Sequence, residues 1–311
     1  MKKPKVVVMG SFVVDLTARA PHLPVAGETV KGSSFKLGPG GKGSNQGVAA
    51  QRAGAEVTMV TKVGKDTFGE LAINNFKSEE MDTTYIFQDE EKETGTALIM
   101  VDEVTSENKI LVTLGACNHI TEENIEMART HIESADIFLT QLETNIEAIE
   151  KAIDIAHKSG TLVVLNPAPV QPISDELLAK VDIITPNEIE AEILTGIKVD
   201  TEESRQQVAK YFMDRGIGTV VITLGKNGVY AKNSTTEVYV PSLKVEAVDT
   251  TGAGDAFNGG FVTALAEGKD LKEAVCFGNV VGALSVTKMG TAPSMPFRNE
   301  IDTYMENILC K

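Results

Sequence analysis

Short runs rich in β-branched residues recur along the chain at 5–10, 57–63, 135–141, 161–166, 181–185 and 219–224. Each reads as a buried strand. Stretches of helical length lie between them, and 121–133, 145–159 and 201–215 combine amphipathic spacing with polar starts and acidic first turns. This alternation predicts βαβ units, and so an α/β fold in which a doubly wound, mostly parallel sheet is flanked by helices. Two more apolar helical stretches, 255–267 and 271–287, read as core helices beneath a site.

Two regions break the alternation. The segments TGTALIMV (94–101) and KILVTL (109–114) flank an acidic polar turn and read as a hairpin, while 12–37 is extended and rich in Pro, Gly and Val. Together they would form a small accessory β-sheet, a lid contributed by two insertions at about 12–37 and 94–114 of a single domain spanning 1–311. A plain extension of the main sheet is the alternative. No sequence period repeats, and no linker divides the chain.

Composition narrows the partners. The formal net charge of -15, from 44 acidic and 29 basic residues, argues against nucleic acid or an anionic membrane. It does not exclude nucleotides, because phosphate is held by local amides, a few cations and Mg²⁺ rather than by overall charge. Cys117, Cys276 and Cys310 are odd in number and far apart, which fits free thiols in a reducing compartment. His22, His119, His131 and His157 lack zinc-site spacing. The apolar run after MKKPK is too short for a signal segment or a membrane span, so the expected location is the cytoplasm.

Ligands of open α/β sheets bind beyond the carboxyl ends of the strands. The polar residues that follow the strand runs, namely Asp15, Glu143, Asn187, Glu190 and 223–226, should therefore converge on one crevice edge. Each alone also fits a turn former or helix cap. The strongest local signal is DTTGAGDAFNGG (249–260). Gly252, Ala253 and Gly254 turn tightly into an apolar helix, aiming backbone N–H groups and the helix dipole at one point suited to an anion. Asp255 beside that point can accept the proton of an attacking hydroxyl, as phosphoryl transfer needs, or it can be an ordinary helix cap. The segment GPGGKGSNQG (38–47) lets backbone approach a ligand, and Lys42 and Asn45 offer donors to hydroxyl groups. It is not a Walker A loop, and taken by itself it fits a glycine turn with a solvated lysine.

In order and spacing, GSFVVD, GGKGSNQ, QLE (141–143), NPAP (166–169), TPNEIEAE, ITLGKNG and DTTGAGDAFNGG resemble the ribokinase branch of the PfkB carbohydrate kinases, from residue 6 to about 296. The resemblance implies a ribokinase-like sheet with a β lid, ATP with Mg²⁺, and γ-phosphoryl transfer to a sugar hydroxyl, ribose giving ribose 5-phosphate. It implies that Asp15, Gly41, Lys42, Asn45 and Glu143 hold the sugar, that Asp255 is the base, and that Gly252, Ala253 and Gly254 form the anion hole. Asn187 and Glu190 would help place Mg²⁺ and phosphates through water, Thr223, Gly225 and Gly228 would border the nucleotide, and Asn279 would lie near its base. Activation by K⁺ is also implied, at Asp249, Thr251, Ser285, Lys288, Gly290 and Ser294, as is a homodimer formed through the lid.

One position departs from the pattern. Ribose-specific members carry asparagine where this chain has Val13, so a sugar hydroxyl facing Val13 would lose a partner, at about 1–3 kcal/mol. That admits 2-deoxyribose or another pentose as substrate. A phosphosugar kinase would need more cations than Lys42. A nucleoside kinase would use lid residues such as Phe12, Phe35, Ala97 and Ile99 against a base. A noncatalytic sugar or nucleotide sensor, or a scaffold, gives no reason for Asp255 beside an intact glycine turn.

Overall fold

The first apolar run becomes β1 (Lys5–Met9), and its alternate residues fill two separate cores. Val6 and Val8 join the cluster on one side of the sheet, and Val7 and Met9 join the cluster on the other. A strand dry on both faces needs apolar residues at every position. The structure, a computed structural model, describes residues 3–105 and 107–309. Cys310 lies outside the described residues, while Cys117 and Cys276 are free thiols.

The chain continues through β2 (Val13–Ala20), β3 (Ser34–Gly40), α1 (Lys42–Ala53), β4 (Glu56–Gly64), α2 (Thr67–Ser78) and β5 (Asp82–Asp89). The hairpin expected after residue 94 is β6 (Thr94–Asp102) with β7 (Asn108–Gly115). Alternation then resumes with α3 (Glu122–Ser134), β8 (Ile137–Thr140), α4 (Ile146–Ser159), β9 (Leu162–Leu165), α5 (Asp175–Leu178) and β10 (Ile183–Ile184). Next come α6 (Glu188–Thr195), α7 (Glu202–Met213), β11 (Thr219–Thr223), β12 (Val229–Asn233) and β13 (Glu237–Val240). The helices α8 (Ala253–Ala266), α9 (Leu271–Ser285) and α10 (Arg298–Leu309) follow.

The nine-stranded main sheet has the order β13-β12-β11-β10-β9-β8-β1-β4-β5. It is parallel from β11 to β5, and β12 and β13 extend it antiparallel at one edge. Residues of α1, α8 and α9 line one core, and residues of α3, α4 and α7 line the other, so helices cover both faces. The expected doubly wound α/β architecture is thus present.

A separate four-stranded sheet, β3-β2-β6-β7, is built from the two regions that broke the alternation. Phe12 does not belong to it. Expected among the residues of this sheet, it is fully buried in the main core and packs edge-on against Phe76, with ring centroids 5.6 Å apart. An aromatic ring at the mouth of β1 gains more from the dry core than from the wet sheet.

The geometry of the crevice depends on the contact between α1 and α8. A Cβ at Gly259 would lie 2.4 Å from the Ala49 Cβ and 2.7 Å from the Gln46 carbonyl oxygen. Only glycine lets the two backbones come this close, and their approach brings the first turns of both helices side by side.

Candidate active site

The chain winds outward from β1 through β4 to β5 on one side and from β8 to β11 on the other. Beyond the carboxyl ends of β1 and β8 this reversal leaves the crevice typical of such sheets. Glu143, just past β8, lies at that point. Its Oε2 accepts hydrogen bonds from the Ser11 hydroxyl and from the Lys42 N–H at 2.9 Å. The carboxylate thereby faces the positive end of α1. Gly41 caps that helix at φ 90°, and a side chain there would strike the backbone of Ser11 and Val13.

Asp255 stands opposite, in the first turn of α8 and 8% exposed. The helix begins two residues earlier than the sequence suggests, so Ala253 and Gly254 are already helical and Gly252, at φ 77°, is the cap. Each Asp255 oxygen is held by an amide of α1: Asn45 Nδ2 donates to Oδ2 at 3.0 Å and Gln46 Nε2 to Oδ1 at 2.9 Å. Burial raises the carboxyl's pKa above the ordinary value and Glu143 adds to this, while Lys42 and the two amides pull the other way. A carboxylate of this kind can take a proton from an alcohol placed against it. Among the described residues, the N–H groups of Gly252, Gly254 and Asp255 have no hydrogen-bond partner, whereas Ala253 N–H reaches the Thr250 carbonyl at 3.3 Å. The buried Asn45 Oδ1 is also without a partner, an acceptor ready for a ligand hydroxyl.

Lys42 lies between the acidic groups. Burial works against its ammonium, but Asp255, Glu143 and Glu190 together hold its pKa above the ordinary lysine value. Glu190 itself is raised by burial. Asn187 and Glu190 engage each other at the start of α6: Asn187 Oδ1 accepts from the N–H of Ile189 and Glu190, and Glu190 Oε2 accepts from the Asn187 N–H at 2.9 Å. The helix-cap geometry open to Asn187 on sequence grounds is therefore realised.

Asp15 and Val13 are two apart on β2 and share a face. Burial pushes the Asp15 carboxyl up to about 6, with Glu143 and Asp255 adding to the effect and the Thr291 hydroxyl, 3.3 Å from Oδ2, opposing it. Val13 is buried and crosses to Gly40 and Gly95 in the small sheet.

The remaining expected positions fall into two groups. Thr223 ends β11 and bridges to Asn187, while Gly225 (φ 51°) and Gly228 (φ 98°) bracket a single turn. Asn279 on α9 donates to the Pro241 carbonyl at 2.9 Å, across from that turn. The second group is a loop pair. Asp249 accepts from the N–H groups of Thr251 and Gly290, each at 3.0 Å, and the Lys288 N–H reaches the Ser285 carbonyl. Burial opposes the Asp249 charge, but those hydrogen bonds outweigh it and leave the carboxyl below its ordinary value. Ser294 is tied to the Thr291 carbonyl, and the Lys288 ammonium turns away to Glu300, so only backbone of Lys288 faces the loop. Among the described residues, no three His, Cys, Asp or Glu side chains cluster as metal ligands.

Gln46, Thr291 and Asn166 were not singled out as site residues on sequence grounds, although Gln46 and Asn166 lie inside motifs noted above. A neutral amide or hydroxyl gives no periodic or charge signal, and only the fold brings these three to the carboxylates.

The chain matches the description "pfkB family carbohydrate kinase" over residues 3–298. It is 45% identical to a ribokinase of Haemophilus influenzae over 300 residues, 96% of this chain and 98% of the relative. A deoxyribokinase of Salmonella typhi is 37% identical over 301 residues, again 96% of this chain and 98% of the relative. The solved structure of Arabidopsis thaliana ribokinase complexed with ribose and ATP superposes with a TM-score of 0.89 at 28% identity, covering 97% of this chain and 98% of the other.

Proposed function

The chain belongs to the pfkB family of carbohydrate kinases, and on that premise we propose that it moves the γ-phosphoryl group of ATP to a hydroxyl of ribose, with Asp255 as the base. The observation that carries this reading is the buried Asp255 carboxylate, gripped by two amides beside the unpaired N–H groups of a helix start. In the reaction the sugar oxygen attacks the γ-phosphorus in line and its proton passes to Asp255. The bond to the β,γ-bridging oxygen breaks, and ADP leaves with that electron pair. The N–H groups of Gly252, Gly254 and Asp255, with Ala253 in reserve, meet the charge on the transferring oxygens.

Asp15, Glu143, Gly41 and the free Asn45 Oδ1 would hold the sugar, and Lys42 would balance charge between sugar and phosphates. Thr223, Gly225, Gly228 and Asn279 would border the nucleotide. Mg²⁺ would be held chiefly by phosphate oxygens and water, with Asn187 and Glu190 outside that shell. Among the described residues no three His, Cys, Asp or Glu side chains are placed to hold a metal ion together. When bound, it supplies charge neutralisation on the triphosphate. The Asp249 loop, with Thr251, Ser285, Lys288, Gly290 and Ser294, suits K⁺ through its carbonyls and one carboxylate. The small sheet would act as a lid and as the contact between two copies, and a cytoplasmic setting fits the free thiols. No helix among the described residues is long and apolar enough to cross a membrane.

A second reading, 2-deoxyribose as the preferred sugar, is favoured by Val13, an apolar residue on the face that carries Asp15. A ligand lacking one hydroxyl loses nothing there. The test is coupled ADP release with ribose and 2-deoxyribose, for wild type, Asp255→Asn and Val13→Asn. Asp255→Asn should lower kcat by ~10²–10⁴-fold while still binding sugar. Val13→Asn should move kcat/KM toward ribose by roughly tenfold. Sugar-dependent turnover that survives Asp255→Asn overturns the base, and a sugar preference unmoved by Val13→Asn removes the deoxyribose reading.

A further inference from the structure

We propose that Gln46 is a positioning residue for phosphoryl transfer: its side-chain amide fixes Asp255 toward the sugar hydroxyl, as the hub of a buried chain of amides that joins the base to the anion-binding turn. The inference rests on the reading of Asp255 as the base and adds what holds that base in place.

Gln46 is fully buried, and its three polar contacts run in one direction. Nε2 donates to Asp255 Oδ1 at 2.9 Å and to Asn166 Oδ1 at 3.0 Å, while Oε1 accepts from Gln141 Nε2 at 2.7 Å. Asn166 cannot reverse these roles, because its own Nδ2 is committed to the Thr185 carbonyl at 2.9 Å. Turning the Gln46 amide over would set its oxygen against two acceptors, one of them ionised. The amide is therefore locked, and so is the carboxylate it holds.

The chain does not stop there. The Thr185 hydroxyl donates to Asn258 Oδ1 at 2.6 Å, and Asn258 Nδ2 donates to the Gly254 carbonyl at 2.9 Å, back in the first turn of α8. Gln141, Asn166 and Thr185 each follow a different one of three neighbouring strands, β8, β9 and β10, so the rigid centre of the sheet carries the network. Base and turn are anchored to the same scaffold, which is what in-line geometry requires. A side chain needed only to fill this space would be apolar, since a buried amide costs stability unless fully paired. A donor to the ionised carboxylate also favours its proton-accepting form, and Gln46 is among the groups that draw Asp255 back from the rise caused by burial.

The experiment is the pH dependence of single-turnover transfer at saturating sugar and ATP-Mg, for Gln46→Glu, Gln46→Met and Gln141→Leu, with thermal midpoints and sugar affinity recorded beside it. Both Gln46 variants should slow transfer by ~10²-fold near neutral pH. Their acid limb should move to higher pH, further for Glu, which adds a like charge, than for Met. Sugar affinity should stay within about threefold, because no sugar contact is removed. Gln141→Leu, which keeps the donor and loosens its grip, should shift the limb the same way by less. A limb at the wild-type position in the Gln46 variants, with a rate loss equal at every pH, reduces Gln46 to packing and overturns the proposal. If those variants do not fold, an unmoved limb in Gln141→Leu overturns it equally. Asp255→Asn separates the two levels: if it transfers at the wild-type rate the base reading fails, and if it is inactive while the limbs stay put only the role of Gln46 fails.

Discussion

The role proposed for Asp15 would set folding stability against sugar binding at a single carboxyl. Burial lifts its pKa from 3.8 to about 6, against the Thr291 hydroxyl and with the help of Glu143 and Asp255. A carboxyl raised by folding favours the folded state while protonated. Its contribution is full below about 3.8 and is lost as the pH climbs through about 6. Asp15→Asn keeps the shape and drops the charge. The thermal midpoint of the unliganded variant, minus that of wild type, should therefore grow from pH 4 to pH 7, by the equivalent of at most ~3 kcal/mol. Binding moves the opposite way. The ionised group can accept two sugar hydroxyls, so wild-type KM for the sugar should rise as the pH falls below about 6. In Asp15→Asn it should be raised roughly tenfold or more and lack that pH step. A stability advantage that shrinks toward neutral pH, or identical pH dependence of KM in the two proteins, would show that this carboxyl is not the titrating group.

The corresponding constraint among the elements is the meeting of α1 and α8. Helix propensity favours alanine over the glycine at position 259 by about 1 kcal/mol. The added Cβ, however, would lie within 2.4–2.7 Å of the Ala49 Cβ, the Ala50 nitrogen and the Gln46 carbonyl oxygen, two of them backbone atoms unable to yield. Overpacking of this sort costs about 1–3 kcal/mol, so it decides the sign. Gly259→Ala should lower the melting midpoint and, by parting Gln46 from Asp255, lower kcat more than it raises either KM. A variant more stable than wild type would show that the helices slide apart freely. The same contact marks how much was legible beforehand. The strand runs, the hairpin and the helices α3, α4 and α7 carried strong period signals, and all appear. The edge strands β5 (DTTYIFQD) and β13 did not stand out, because an edge strand need not be apolar throughout, nor did β12, one place in from the β13 edge, which ends in the polar pair Lys232 and Asn233. The glycine turns and carboxylates of the crevice were visible because glycine and charge carry a local signal of their own. Gln46, Asn166 and Thr291 were not, since their significance depends on where distant helices and strands meet.

For the whole molecule the open question is what covers the outer face of the small sheet. Asp15 and Ala97 point to one side of that sheet. On the other, Leu37, Leu16, Leu98 and Leu111 stand in one cross-strand row, with Phe35, Ala18 and Met100 in the next. Leu98, Leu111 and Phe35 are 46%, 62% and 63% exposed, and with Leu16, Ala18 and Met100 they line a groove of about 390 Å³. A contiguous apolar surface of this kind on a chain carrying a formal charge of -15 suits a contact with a partner. A second copy is the simplest one, because a twofold pairing sets the same leucine rows against each other. Sedimentation should give twice the chain mass for wild type and the single mass for Leu98→Arg, which would force a charge into each half of the contact. Two copies of equal negative charge also repel, so the dimer should tighten as salt rises from about 0.05 to 0.3 M, where screening shortens the reach of that repulsion. A contact held by ion pairs would loosen over the same range. Because β2 carries Asp15 on one side and Leu16 on the other, the pairing would also steady the Asp15 carboxylate proposed to hold the sugar, and the Leu98→Arg monomer should raise KM for the sugar several-fold while KM for ATP stays within about twofold. Wild type sedimenting as a monomer, or a Leu98→Arg monomer with an unchanged sugar KM, would separate the leucine rows from the site beneath them.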